Sequence, residues 1–112
     1  MKKFLVLYRS AVSARAQMAA ATPEQTKAGM DAWMKWAKKN EKMIVDLGSP
    51  LGDSKRLEGQ SAGKGDETIS GFSIVQGESL QAVTKAFADH PHTHMPGKSS
   101  IEVIELLPVP GM

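Results

Sequence analysis

The sequence contains no cysteine, few aromatic residues and no long run of basic residues. The absence of cysteine excludes disulfide bonds and a thiol nucleophile. Aromatic residues make up 5% of the chain, which argues against a base-stacking surface, and the 14 basic residues are scattered among 12 acidic ones. We therefore expect no nucleic-acid partner.

Long hydrophobic runs are also missing. Residues 4–8 supply five apolar residues before Arg9, whereas the core of a secretory signal needs roughly 7–15. No run approaches the roughly 20 apolar residues that span a membrane. We expect a cytoplasmic protein with no membrane partner. Because the chain has 112 residues, 41% of them hydrophobic, we expect residues 1–112 to form a single domain.

The clearest pattern present is a strand followed by a helix. Side chains over residues 69–76 alternate with the two-residue period of a strand, and Gly77 ends the run. Ser79 is placed to cap a helix whose apolar positions recur at three- and four-residue steps, namely Leu80, Val83, Ala86 and Phe87. His90-Pro91 predicts the end of this helix, because proline disfavours the α conformation in the residue before it and has no N–H to donate.

A second helix begins at Thr22-Pro23-Glu24-Gln25, which combines a threonine cap, a proline in the first turn and a glutamine placed to reach back to the cap. We predict that this helix runs to about Asn40 or Lys42. Its predicted buried stripe is Met30, Trp33, Met34 and Ala37; the alternative is that these Met and Trp side chains line a ligand pocket. Residues 10–21 show neither a clear period nor a cap, and although their alanines permit helix, we predict a connecting loop there with at most one helical turn.

The remaining elements are predicted from shorter signals. Residues 4–9 and 101–107 are apolar on both sides of an extended chain, as is typical of interior strands. The other predictions are a short strand over 43–48, a charged edge strand over 51–60, a hairpin loop over 61–66 and an irregular crossing loop over 90–97.

This order of elements predicts an α+β fold: a ferredoxin-like split βαβ antiparallel sheet with two helices on one face. Two helices shield only that face. Since the first and last strands are apolar on both sides, we expect the other face to be buried against the same face of a second copy. The predicted assembly is a homodimer, formed through the sheet faces as a dimeric α+β barrel.

Five short motifs, spread over most of the chain, carry a family resemblance. They are Gly48-Ser49-Pro50-Leu51, Gly71-Phe72, Glu78-Ser79-Leu80, His90-Pro91 and Ile101-Glu102-Val103. With them the chain resembles the YCII-related superfamily of dimeric α+β barrel proteins, including its DGPF-type branch, although Gly65-Asp66-Glu67-Thr68 stands where that branch has its naming motif. The resemblance implies the same ferredoxin-like dimer. It also implies a small lyase or dehydrochlorinase activity that uses a His and Asp pair; those relatives carry the His early in the chain, whereas the first here is His90.

Three histidines, His90, His92 and His94, alternate along one segment. In an extended conformation they would lie on one side, with Asp89 beside them as a fourth ligand, which defines a metal-site hypothesis. The alternative is that histidines in such a loop are solvated or cap the preceding helix. We favour the alternative and expect no metal and no other cofactor.

Acid–base catalysis on a small organic acid or lactone is the second hypothesis. The candidate catalytic residues are His90, His92 and Asp46, with Asp89 as another possible partner, and the candidate ligand-binding residues are Tyr8, Arg9 and His94. Arg9 would orient the carboxylate of the ligand. Each residue also has a structural interpretation: Asp46 facing solvent, Arg9 ending the first strand, and Tyr8 half-buried in that strand.

Three functions therefore remain, and each predicts a different surface. A small lyase or isomerase needs a histidine that lines a concave pocket, with its partner carboxylate at hydrogen-bond distance. A non-catalytic module that binds a small ligand or metal needs a mainly apolar pocket, and an accessory protein-interaction domain needs a second exposed apolar patch instead. From the resemblance we favour a YCII-related protein, with the enzyme as the first hypothesis and the other two functions as alternatives.

Overall fold

The computed structural model describes residues 1–94 and 98–111. Within them the fold is α+β, with three α-helices, an antiparallel sheet of four strands and a separate sheet of two. In chain order the elements are β1 (Lys2–Ser10), α1 (Ala14–Ala20), α2 (Pro23–Lys39), β2 (Ile44–Pro50), β3 (Lys55–Glu58), β4 (Ser61–Lys64), β5 (Ile69–Gly77), α3 (Leu80–Ala86), a 3-10 turn (Pro91–His94) and β6 (Ser99–Glu105). The predicted class and the predicted antiparallel sheet are confirmed.

The strands of the main sheet lie in the order β2-β5-β1-β6, and every pair of neighbours is antiparallel. β5 lies between β1 and β2, and β1 lies between β5 and β6. Because helices connect β1 to β2 and β5 to β6, two strand–helix–strand units interlock in one sheet.

One face of the sheet is covered by helices and holds the core. Phe4, Val6 and Tyr8 of β1 point to this face and are buried, as is Val75 of β5. The helices contribute Trp36, Ala37, Val83 and Phe87 to the same cluster. Burial of each large apolar side chain stabilises the fold by roughly 1.5–3 kcal/mol relative to its exposure.

The opposite face of the sheet is apolar but only partly covered. Leu5 pairs with Ile74 and Ile104, and Leu7 pairs with Phe72 across the strands. Ile104 remains 38% exposed, and the other four are partly buried. This cluster of five side chains is called the open face below.

Helix α2 begins as predicted, but only part of its predicted stripe lies in the core: Ala37 is buried and Trp33 packs against the cluster. The Thr22 hydroxyl accepts a hydrogen bond from the Gln25 N–H, and the Gln25 side chain accepts one from the Thr22 N–H. The prediction that Met30 and Met34 are buried is wrong: they are 56% and 49% exposed. The helix instead turns Trp36 into the core, where its indole N–H is shared by the Ala86 carbonyl and Asp89.

The prediction of a loop with at most one helical turn over residues 10–21 is also wrong, because the seven-residue helix α1 lies there. Ser13 caps this helix by accepting a hydrogen bond from the Ala16 N–H at 3.2 Å. Only Ala14 of the helix is buried, which explains why no hydrophobic period is visible in the sequence. The sheet therefore carries three helices rather than the expected two.

Residues 51–66 differ from the prediction in where the chain reverses. The charged edge strand predicted within residues 51–60 is present as β3, whose residues are all exposed. Residues 61–66 are not all loop, because β4 lies there and pairs with β3 in a separate hairpin. Gly59 adopts a φ of +61°, which places the reversal there. Of the crossing loop predicted over 90–97, residues 95–97 lie outside the described residues. None of the helices described is both long enough and apolar enough to cross a bilayer.

Candidate functional site

A cavity of about 260 Å³ lies between the helix-covered face of the sheet and helices α1 and α2. Large apolar side chains surround it, namely Tyr8, Met18, Met30, Trp33, Met34 and Leu47. None of the described lining residues is Asp, Glu, Lys or Arg. The cavity is therefore mainly apolar and carries no ionised acid, lysine or arginine in its described wall.

Small residues explain why this space is empty. Ala14 of α1, Gly48 of β2 and Gly71 of β5 all line the cavity. Gly48 has a φ of +81°, and a Cβ atom there would collide with the backbone carbonyl of Phe72, so no larger residue fits. Protein interiors are normally close-packed, so a space of this size next to the core is a candidate binding site.

The ring of Tyr8 lines the cavity, whereas its hydroxyl is hydrogen-bonded to Ser73. Ser73 Oγ donates its hydrogen to the Leu47 carbonyl at 2.6 Å, so it accepts the hydrogen of the Tyr8 hydroxyl at 2.9 Å. Burial raises the pKa of Tyr8 to about 12, an effect that the Ser73 hydrogen bond only partly opposes. The predicted ligand contact of Tyr8 is thus limited to its ring, which lines the cavity as a neutral phenol.

His92 lines the same cavity and is 3% exposed. Its Nε2 lies 2.8 Å from the carbonyl oxygen of Arg9. A carbonyl oxygen only accepts, so Nε2 carries the hydrogen and Nδ1 of the neutral ring is an acceptor. No hydrogen-bond partner of Nδ1 occurs among residues 1–94 and 98–111, and Nδ1 is not one of the unpartnered atoms that are fully buried there. His92 therefore has an acceptor, Nδ1, that no group in the described chain uses.

His90 lies behind the cavity wall in a cage of aromatic rings. It is fully buried, and its ring centroid lies 4.3–5.5 Å from those of Tyr8, Trp33, Trp36 and Phe87. Its Nδ1 accepts the backbone N–H of His92 at 3.0 Å, whereas its Nε2 is buried without a partner in the described chain. Burial, together with the nearby His92, lowers the pKa of His90 to about 4. His90 is a neutral structural support for the turn that carries His92.

The Arg9 guanidinium points away from the cavity, to the side of the sheet that carries the open face. It donates to Glu102 at 3.0 Å and to Asp66 and Thr68 at 2.9 Å each. Hydrogen bonds from Thr68 and Arg9 lower the pKa of Asp66 to about 2, so this carboxylate stays ionised. The guanidinium therefore lies on the wrong face of the sheet to orient the carboxylate of a ligand in this cavity. The Arg9 carbonyl contributes to the cavity wall only indirectly, by holding His92.

The remaining candidates do not line the cavity. Asp46 is exposed and accepts the Gly48 N–H at 2.8 Å, while Asp89 is paired with Lys39 at 2.8 Å. The Lys39 hydrogen bond is the main cause of a lowered pKa of Asp89. Neither carboxylate is hydrogen-bonded to a histidine in the described chain, and His94 is exposed. Across the described positions, no group of three or more His, Asp or Glu residues has a metal-binding arrangement.

Several residues of the site were missed because α1 was not predicted. Ala14, Gln17 and Met18 of this helix line the cavity. The Gln17 amide nitrogen donates to Ser10 and to the Val12 carbonyl, which fixes the helix against the end of β1. The available sequence signal was Ser13, an acceptor placed three residues before Ala16.

Comparison with known proteins does not identify the site: no family model matches this chain, and no curated protein sequence matches it. The interpretation therefore depends on the geometry of the cavity. The features of the cavity are apolar walls, a lining histidine, His92, whose Nε2 is held by the Arg9 carbonyl, and no acid, lysine or arginine among the described lining residues.

Proposed function

We propose that this protein binds a small apolar molecule in the cavity beneath α1 and α2. The observation that carries the proposal is a mainly apolar cavity, open to a small ligand, next to an otherwise filled core. Ligand sites are typically concave, apolar and furnished with a few polar groups that set orientation. Among the three functions considered from the sequence, this is the surface expected of a binding module.

The methionines around the cavity suit this role. Met18, Met30 and Met34 come from two helices and are exposed, yet all three line the cavity. Methionine has an unbranched, polarizable side chain that adapts its shape to a partner. Covering these side chains with a ligand removes apolar surface from water, which supplies the driving force for binding.

The test is whether a neutral aromatic molecule such as naphthalene binds in the cavity. In NMR titrations we expect naphthalene to shift the signals of Trp33 and His92. Ala14→Phe, which fills the cavity, should abolish these shifts, whereas Ala82→Phe, the same change at an exposed position of α3, should leave them unchanged. Saturable binding that survives Ala14→Phe, or no binding at all, would contradict the proposal.

A second candidate is an acid–base enzyme, a small lyase or isomerase that uses His92. The specific observation in its favour is that the Arg9 carbonyl holds Nε2 of a lining histidine, which leaves Nδ1 as the candidate base beside a mainly apolar cavity. The partner that orients the ring is a carbonyl rather than the carboxylate expected from the sequence. Small lactones and carbon acids can be screened for exchange of a C–H hydrogen in heavy water. His92→Gln should reduce any such exchange about 100-fold or more, and the exposed control His94→Gln should not.

We further propose that the chain is a single ferredoxin-like domain of the YCII-related type that pairs into a dimeric α+β barrel. The interlocked strand order β2-β5-β1-β6 supports the ferredoxin-like interpretation. The open face supports the pairing, because a contiguous apolar surface of this kind is typically covered by a partner. A second copy presents the same surface, as a two-fold interface requires. The cytoplasmic location and the absence of a cofactor stay predictions.

Sedimentation velocity tests the dimer. The unaltered protein should sediment as a dimer at micromolar concentration, and Leu7→Lys in the centre of the open face should convert it to a monomer. The matched control is Leu57→Lys, at a position that is 77% exposed on the β3–β4 hairpin, and it should remain dimeric. A monomer in the unaltered protein at high concentration would remove this proposal without affecting the cavity.

A further inference from the structure

We infer that the cavity selects an uncharged molecule that carries a hydrogen-bond donor and directs this donor to His92 Nδ1. The inference rests on the proposed binding function and adds the chemical class of the ligand. It replaces the small organic acid expected from the sequence.

The preference for a ligand that donates a hydrogen bond follows from the partners of the polar hydrogens in the buried part of the wall. The buried polar side chains that line the cavity are Tyr8, Ser70 and His92. The Tyr8 hydroxyl donates to Ser73, the Ser70 hydroxyl donates to the Tyr8 carbonyl at 2.9 Å, and His92 Nε2 donates to the Arg9 carbonyl. Each of these hydrogens is committed within the fold. What the buried wall offers a ligand is an acceptor, His92 Nδ1.

The preference for an uncharged ligand follows from the absence of lysine and arginine among the described residues of the wall. Arg9 is the nearest arginine in sequence to Tyr8, and its guanidinium is held on the other side of the sheet by Asp66 and Glu102. Arg15 borders a second, more open pocket that adjoins the cavity, but it is exposed and faces Asp53 at 3.5 Å. A carboxylate that entered the cavity would lose its hydration without gaining a counter-ion, which is strongly unfavourable.

The size of the cavity, about 260 Å³, accommodates a bicyclic ring. Indole, 1-methylindole and indole-6-carboxylate are therefore suitable probes, because they share one ring system and differ in the donor or the charge. We expect indole to bind about three- to tenfold more tightly than 1-methylindole, the range that corresponds to one hydrogen bond. Indole-6-carboxylate should bind at least about tenfold more weakly than indole, because its charge is not compensated. Calorimetry or ligand-observed NMR gives all three affinities.

The matched variants locate the donor preference. His92→Phe should make indole and 1-methylindole bind equally, whereas His94→Phe, at an exposed position of the same 3-10 turn, should retain the difference. A measurement on the unaltered protein is independent of whether these variants fold. The ¹⁵N resonance of His92 Nδ1 should move upfield when indole binds, as expected of a nitrogen that accepts a hydrogen bond, and it should not move in this way with 1-methylindole.

The outcomes separate this inference from the function on which it rests. If none of the probes binds, the proposed function fails and this inference fails with it. If indole and 1-methylindole bind equally to the unaltered protein, the cavity is a binding site but the role of His92 as acceptor is overturned. If indole-6-carboxylate binds most tightly, the preference for an uncharged ligand is overturned, and Arg15 becomes the group to test.

Discussion

The helix-covered face of the sheet is filled under α3 and hollow under α1 and the middle of α2. In the filled half, Phe4, Val75 and Val83 interlock and are fully buried. In the hollow half the corresponding space is bordered by Ala14 and Gly71, with a ring of exposed methionines above it. The same strands β1 and β5 serve both halves. The hollow half differs from the filled half in the small residues that border it and in its cover, which is α1 and the middle of α2 rather than α3.

This difference separates residues that stabilise the fold from residues that shape the site. A close-packed core tolerates neither a lost nor an added methylene without cost. A cavity wall tolerates changes in its flexible members, provided that its fixed members remain small. The predictions below test this division, beginning with the largest expected effect.

The filled half should be far more sensitive to truncation than the hollow half. Phe4→Ala leaves a cavity in the packed core and should lower the free energy of unfolding by about 3–5 kcal/mol. Met34→Ala, at the rim of the existing cavity, should lower it by less than about 1 kcal/mol. Denaturant unfolding measures both. Equal losses would mean that the two halves are packed alike.

Gly48 should be the position in the hollow half where a substitution clearly lowers the free energy of unfolding. Gly48→Ala places a Cβ against the Phe72 carbonyl and forces an unfavourable φ, so we expect a loss of about 2 kcal/mol or more in the free energy of unfolding. The control is Gly29→Ala on the exposed side of α2, where a Cβ meets no atom within 4 Å. It should stabilise the protein by about 1 kcal/mol, because alanine favours the helix. Changes of the same sign would refute the assigned role of Gly48.

Burial of His90 should make stability depend on pH. The pKa of His90 is about 4 in the folded protein, and about 6.5 is the usual value in an unfolded chain. Between these values the unfolded state binds more protons, so the free energy of unfolding falls as the pH is lowered from about 6.5 to about 4. We expect a loss of about 1–3 kcal/mol over this window.

Urea unfolding at several pH values tests this dependence. His90→Phe retains a ring in the aromatic cage but has no group that titrates, so it should flatten the profile. His94→Gln removes an exposed histidine from the same segment and should leave the steep part of the profile in place. A profile unchanged by His90→Phe would show that another group causes the pH dependence.

The smallest effect is expected at the boundary between the two halves. Tyr8→Phe removes the hydrogen bond to Ser73 but keeps the ring, so it should lower the free energy of unfolding by about 1 kcal/mol. Ser73 still donates to the Leu47 carbonyl, and the architecture should be unchanged. The affinity for a neutral aromatic probe should change by no more than about threefold. The Tyr8 hydroxyl donates its hydrogen to Ser73 and therefore contributes little to the binding free energy of the probe. A large loss of affinity would show that the hydroxyl contacts the ligand.

Much of the fold could be predicted because its signals are local. The cap at Thr22 fixes the start of α2, and alternation in residues 69–76 fixes β5. Helix α1 was missed because one serine cap and a series of alanines give no hydrophobic period. The face of α2 that points to the core was predicted only in part. Packing of Trp36 against the rest of the fold sets that face, and the sequence pattern of the helix does not show it.

The positions of some site residues could also be predicted, because they depend on local signals. Tyr8 and His92 do lie at the cavity, as residues of a strand end and a loop. Arg9 follows Tyr8 directly, and successive residues of a strand face opposite sides, so the alternation already separated the two side chains. The tautomer of His92 could not be predicted, because it depends on a carbonyl 83 positions away in the chain.

A crystal structure of the protein soaked with 5-bromoindole is the most direct test of the central claim, because the bromine atom locates the ligand without ambiguity. We predict an anomalous bromine peak inside the cavity between Ala14 and Trp33, with the indole N–H at hydrogen-bond distance from His92 Nδ1. A cavity closed by the protein's own methionines, with bromine bound elsewhere or nowhere, would contradict it.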